Sequence, residues 1–110
     1  MIEIRHYINP SGKYVFGDWL ISLRDARTRA RIAVRIDRIS GGNFGDCKPI
    51  RQGLFELRIH CGPGFRVYYS MEGNTCVLLL CAGDKSSQSA DIRRALEYLE
   101  DFRQRQEEGQ

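Results

Sequence analysis

Arginines stand where core residues would be expected in the segment GLFELRIHCGPGFRVYYSMEG, residues 53–73. Residues 54–60 and 65–71 alternate with period two, the pattern of two half-buried strands. In the first, Phe55, Leu57 and Ile59 share one face and Glu56, Arg58 and His60 the other. In the second, Phe65, Val67 and Tyr69 oppose Arg66, Tyr68 and Ser70. Directly paired residues share a face, so a loop of even length would set Ile59 against Arg66 and split the apolar set. A three-residue loop, Cys61-Gly62-Pro63, pairs Ile59 with Phe65 and Arg58 with Arg66. Like charges directly opposite one another are destabilising. The pair therefore needs a counter-charge, either a carboxylate such as Glu56 or a bound substrate. Two forked guanidiniums converging on one point match a phosphate. His60, beside them, is of the residue type that transfers protons near neutral pH, although a lone strand histidine is more often structural.

A second group follows in LLLCAGDKSSQSADI, residues 78–92. Asp84, Lys85 and the serines fall at the carboxyl end of an apolar strand, where a loop reaches the open face of a sheet. Lys85 is either a further phosphate contact or an exposed loop lysine.

Elements able to position these groups are legible along the chain. MIEIRHY alternates Ile2, Ile4 and His6 against Glu3, Arg5 and Tyr7, a first strand. NPSGK is turn chemistry. Val15, Phe16, Trp19, Leu20 and Leu23 recur at helical spacing, and Asp25 is placed to cap a second helix whose Ile32, Ala33, Ile36 and Ile39 form one apolar stripe. GGNFGD ends that helix. CKPIRQ reads as a short edge strand because proline lacks a donor for the ladder. TCVLLLCA is a continuous apolar run, as in a strand covered on both faces. Ile92, Ala95, Leu96, Leu99 and Phe102 mark a last amphipathic helix over residues 89–106, with 107–110 as a frayed tail. The expectation is one α+β domain over residues 1–110. It has a mostly antiparallel sheet of four to five strands, an N-terminal helical hairpin and a C-terminal helix.

Composition narrows the partners. Of the 17 basic residues, 14 are arginine, against 14 acidic residues, for a net charge of +3. Arginine grips phosphate and carboxylate with a planar fork, so the bias suits an oxyanion, or equally a merely soluble surface. The second helix carries Arg24, Arg27, Arg29, Arg31, Arg35 and Arg38 on or beside it. Of these, Arg27, Arg31, Arg35 and Arg38 are candidate contacts to RNA phosphates, and a solvated face is the competing reading. Cys47, Cys61, Cys76 and Cys81 form no C-x-x-C pair, and the histidines supply no zinc-like spacing. Cys76 and Cys81, five apart on one strand, are expected on opposite faces. Reduced thiols, no metal and no cofactor are the reading. No apolar run approaches a membrane span and no signal architecture opens the chain, so a cytoplasmic protein is expected.

Taken together, Glu56–Arg58, Gly62–Tyr69 and Leu78–Gln88 match the pattern E-L-R, G-x-G-[FY]-R-V-Y-Y and L-L-L-C-x-G-D-K-x-x-Q. This resembles the RelE/ParE toxin superfamily of bacterial type II toxin–antitoxin modules, with the closest likeness to the HigB-like addiction module killer proteins. The resemblance implies a ribosome-dependent endoribonuclease that cuts messenger RNA without a metal, the 2′-hydroxyl attacking the adjacent phosphate. It implies that Arg66 is the catalytic arginine, Arg58 a phosphate contact and Lys85 a second basic catalytic residue. Tyr68, Asp84 and His60 are the candidates for proton transfer. The implied partners are a helix-turn-helix antitoxin, the ribosome and messenger RNA, with no membrane. Glu56 stands where some relatives have lysine. Two other readings compete: a ParE-like gyrase poison that spares RNA, and a non-toxic degenerate binding module.

Overall fold

Residues 76 to 82 carry no charged side chain, and such a run is stable only where both faces are covered. In the computed structural model, which describes residues 1–109, this run lies in strand β5 (Cys76–Asp84), buried from Cys76 through Gly83. It pairs antiparallel with β4 (Phe65–Glu72), and β4 pairs antiparallel with β3 (Leu54–Ile59). The edges are β1 (Glu3–His6), parallel to β5, and β2 (Cys47–Arg51), antiparallel to β3, giving the order β1-β5-β4-β3-β2. The mostly antiparallel α+β architecture is as expected. Pro49 lies on an edge strand, where its missing N–H costs the sheet least. Gln52 (φ 55°) and Gly53 (φ 85°) make the two-residue turn from β2 into β3, both left-handed as a type I′ hairpin requires.

Helices α1 (Val15–Ser22) and α2 (Ala26–Ser40) cover one face of this sheet. Their Phe16, Ile32 and Ile39 are buried with Leu57, Ile59, Val67 and Tyr69. Asp25 caps α2 as expected, accepting from the Arg27 amide at 3.1 Å and the Thr28 hydroxyl at 2.9 Å. Ala33, by contrast, is exposed, so the inward stripe is Ile32, Ile36 and Ile39. The opposite face is covered by α3 (Gln88–Glu108), whose Ala95 and Leu99 are buried with Tyr7, Leu54, Tyr68, Leu78 and Leu80. The helix runs through Glu107 and Glu108 to a Gly109 cap, two residues beyond the expected break. Gln110, the end of the expected frayed tail, lies outside the described residues.

A bulge re-phases β5. Tyr68 pairs with Cys81 but Tyr69 with Leu79, so Leu80 is an extra residue against β4. Val77 and Leu79 before it and Ala82 after it can all face α1 and α2, while Leu78, Leu80 and Cys81 face α3. This corrects the expectation for the cysteines. Cys76 alternates with Val77 and so shares the α3 side with Cys81, although the two are five residues apart and all four thiols are free.

Past Cys81 the strand makes its closest approach to α3. A Cβ built on Gly83 would lie 1.9 Å from the Asp91 Oδ2 and 2.7 Å from the Ser87 Oγ. Gly83→Ala should therefore lower stability by about 3 kcal/mol, the upper end for overpacking, because Asp91 is buried and cannot swing aside. Urea unfolding checks this, and a change below about 1 kcal/mol would show that α3 can move.

Candidate functional site

The strand register places the chemistry. Arg58 pairs directly with Arg66 and Ile59 with Phe65, as the alternation required, and the strands break to leave residues 60–64 as the connection. Gly62 (φ 51°) and Gly64 (φ 82°) supply the left-handed backbone of that turn. Two pairs down the ladder, on the same face, Glu56 pairs with Tyr68. Glu56 is 0% exposed. Its Oε1 accepts from the Arg58 Nε at 3.1 Å and the Arg66 NH1 at 3.5 Å, and its Oε2 accepts from the Gln88 Nε2 at 2.8 Å. The counter-charge the arginine pair needs is thus present within the sheet. Two guanidiniums against one carboxylate still leave one positive charge in excess.

Three further groups complete this end of the sheet. Lys85 opens a short 3-10 turn (Lys85–Ser87), its amide donating to the Gly64 carbonyl at 3.1 Å. Its methylenes lie against Gly64, where an added Cβ would be 3.1 Å from the Lys85 Cε. The lysine therefore sits beside the turn that joins the arginine strands, and it is exposed. Asp91, buried at the start of α3, accepts from the Ser87 hydroxyl at 2.6 Å and pairs with Arg94. The Arg66 Nε and the Tyr68 hydroxyl are buried with no partner, an unusual state for a native polar group.

The proton-transfer candidates part company here. Tyr68 is buried under α3, and burial, reinforced by the Glu56 and Asp91 carboxylates, pushes its phenol up. It is a neutral hydroxyl at physiological pH. Asp84 accepts from the Ser86 hydroxyl at 2.5 Å and the Ser86 amide at 2.8 Å, and these bonds hold its carboxyl below the usual range. It caps the 3-10 turn. His60 is turned to Asp46, its Nε2 2.5 Å from the Asp46 Oδ2, with three-quarters of its side chain exposed. That bond is the main reason the Asp46 carboxyl is held low.

The four candidate arginines among the five of α2 are also divided. Arg35 donates to the Arg58 carbonyl at 2.6 Å and the Phe44 carbonyl at 3.3 Å, tying α2 to the arginine strand. Arg27, Arg31 and Arg38 are exposed. Gln88 is the residue that sequence reasoning missed, although it is the last letter of the G-D-K-x-x-Q pattern. Asp46 and Asp91 carried no local signal. Among the described residues, no group of three or more His, Cys, Asp or Glu side chains is placed to hold a metal ion.

Residues 18–105, which contain every group in this constellation, match the family model described as Phage derived protein Gp49-like (DUF891). The chain belongs to the Gp49-like family. This is a family of the RelE/HigB toxin type. An uncharacterized protein of Haemophilus influenzae is 49% identical over 80 residues, covering 73% of this chain and 81% of that protein. For a Gp49-like protein the family suggests a toxin of a toxin–antitoxin module with an antitoxin partner. Among the described residues, no helix is long and apolar enough to cross a membrane.

Two outcomes test the site's construction. Glu56→Ala leaves two partly buried guanidiniums without their carboxylate and should cost about 3 kcal/mol by urea unfolding. That is the low end for a broken buried pair, because the Arg58 side chain retains 32% exposure. A loss under about 1 kcal/mol would mean that the pair is neutralised elsewhere. Alkaline pH tests the buried phenols. Burial raises Tyr68 and Tyr69 and pushes Tyr7 up to about 12, so each folded phenol binds its proton more tightly than an unfolded one. This stabilisation is complete below about pH 10, where unfolded tyrosine begins to ionise, and is lost as pH rises through the folded values. The urea midpoint should fall steadily above about pH 10, and a flat profile there would contradict the burial.

Proposed function

We propose that this Gp49-like protein is the toxin of a type II toxin–antitoxin module, within the HigB-like killer branch, and that it acts as an endoribonuclease on messenger RNA held in the ribosome. The single observation that carries the reading is the cross-strand Arg58–Arg66 pair, fixed on a buried carboxylate and left with excess positive charge beside Lys85. A purely structural pair would be matched charge for charge. This one retains capacity for a phosphate, and part of the Arg58 side chain stays open to solvent.

In the proposed reaction the ribose 2′-hydroxyl attacks the adjacent phosphorus while the 5′-oxygen leaves, giving a 2′,3′-cyclic phosphate and a 5′-hydroxyl, with no metal taking part. Negative charge grows on the non-bridging oxygens in the transition state, and preorganised donors aimed there supply most of the stabilisation. Arg66 and Arg58 fill that role, with Lys85 as a third cation at the same end of the sheet. Because Glu56 holds both forks from behind, little reorganisation is needed when substrate arrives. Of the proton-transfer candidates, Tyr68 is covered, Asp84 is engaged as a cap and His60 is turned to Asp46, so the phosphate clamp carries the proposal rather than any of the three.

The test is primer extension on cellular messages after brief induction of the wild type and of Arg66→Ala. The expected result is discrete cuts that require translation and fall by about 10²–10³ in the variant, the cost of losing one such donor. Arg66→Lys should restore only part of the activity, because a point charge replaces a fork. Intact messages with arrested growth would retire the nuclease reading in favour of a gyrase poison. Harmless expression of folded protein would leave a binding module.

A further inference from the structure

Glu56 presents two oxygens, and they are met by different kinds of donor. Oε1 takes the Arg58 and Arg66 guanidiniums at 3.1 and 3.5 Å, whereas Oε2 takes a neutral amide, the Gln88 Nε2, at 2.8 Å. A carboxylate only accepts, so the amide must turn its N–H toward it. Gln88 is half-buried and opens α3, directly after the 3-10 turn that carries Lys85. An acid would suit that position in two respects. The free amides of a helix start favour negative charge, and the neighbouring guanidiniums have one positive charge in excess. No other acid takes up that excess. Asp46 is bonded to His60, Asp84 to Ser86, and Asp91 to Ser87 and Arg94. Among the described residues, Glu56 alone pairs with Arg58 and Arg66.

We infer that Gln88 sets the charge of the clamp: as a neutral donor it satisfies the buried second oxygen of Glu56 without cancelling the guanidinium charge that an oxyanion would meet. Two requirements conflict at this position. Leaving Oε2 without a donor would strand a buried acceptor, while a second acid would make the cluster neutral. A cation would satisfy the oxygen but set a third positive charge against the pair. The primary amide meets both requirements. Gln88 therefore acts through Glu56 and need not touch the bound anion. The inference rests on the phosphate clamp proposed above and not on which group transfers the proton. It also separates two variants that differ little in shape. Facing carboxylates share a proton in acid and both ionise as pH rises, so Gln88→Glu keeps the wild-type charge only while the pair is protonated.

The test is titration with sulfate, a dianion at every pH used, followed by NMR on the guanidinium carbons of Arg58 and Arg66. Wild type should show saturable shifts of both signals at about pH 8 and at about pH 5. Gln88→Glu should bind at least about tenfold more weakly at about pH 8, with binding returning toward wild type at about pH 5 as the pair takes up its proton. Wild type measured alongside removes the contribution of His60 and every other group common to both. Gln88→Met, of similar length with neither charge nor donor, should keep its affinity within about threefold while unfolding at lower urea. A merely structural bond would instead make the methionine variant the weaker binder. Circular dichroism checks that each variant is folded, and Gln88→Met carries the test alone if Gln88→Glu is not. Wild-type affinity in folded Gln88→Glu at about pH 8, or loss of binding in Gln88→Met, would overturn the inference and leave the clamp standing. No shift in wild type would remove the clamp and the inference together.

Discussion

A carboxylate with no exposure, shared by two arginines on facing strands, is the constraint around which this molecule is arranged. Removing Glu56 from water is expensive, and the cost is offset only because three donors converge on it: Arg58, Arg66 and Gln88. Each donor comes from a different element. The β3–β4 register must put Arg58 opposite Arg66, and α3 must begin where Gln88 reaches the second oxygen. A slip of one residue in the hairpin would split the pair and turn one of the two guanidiniums into the α1–α2 core. The arginine pair is therefore held by the same geometry that makes the hydrophobic core, and the two cannot vary independently.

The sheet separates its tasks by face. The α1–α2 side is almost wholly apolar, as a packed core should be. The α3 side is apolar only from Tyr7 to Leu99, and toward the hairpin turn it gives way to Glu56, Arg58, Arg66 and Asp91. Gly83 marks the boundary, since the absence of a side chain there admits Asp91 and Ser87 against the strand. The bulge at Tyr68 and Tyr69 makes this possible. Without the extra residue in β5, the strand could not bury Leu79 and Ala82 on one face and Leu80 and Cys81 on the other.

The arginines that dominate the basic composition serve different ends. Arg58 and Arg66 face a buried acid, Arg35 is a strut between backbone carbonyls, and Arg105 bonds Asp101 and lies over the Tyr7 ring. Arg31 and Arg38 have open surroundings. A count of arginines, or their position on a helical wheel, does not separate these cases. What separates them is whether an acceptor lies within reach.

Period-two alternation in residues 54–71, together with the need to keep one face apolar, determined the strand register and hence the arginine pair. Both are local properties of the chain. The edge position of β2 followed from Pro49, the cap of α2 from Asp25, and the amphipathic last helix from its spacing. Tertiary structure decided what depends on residues distant in sequence. Gln88 meets Glu56 across 32 positions and Arg35 meets the Arg58 carbonyl across 23, and neither contact has a local signature. The same holds for His60, which sequence placed beside the arginines and which the fold turns to Asp46. It holds also for Cys76 and Cys81, because a bulge that changes strand parity arises from packing against two layers at once and is invisible to alternation alone.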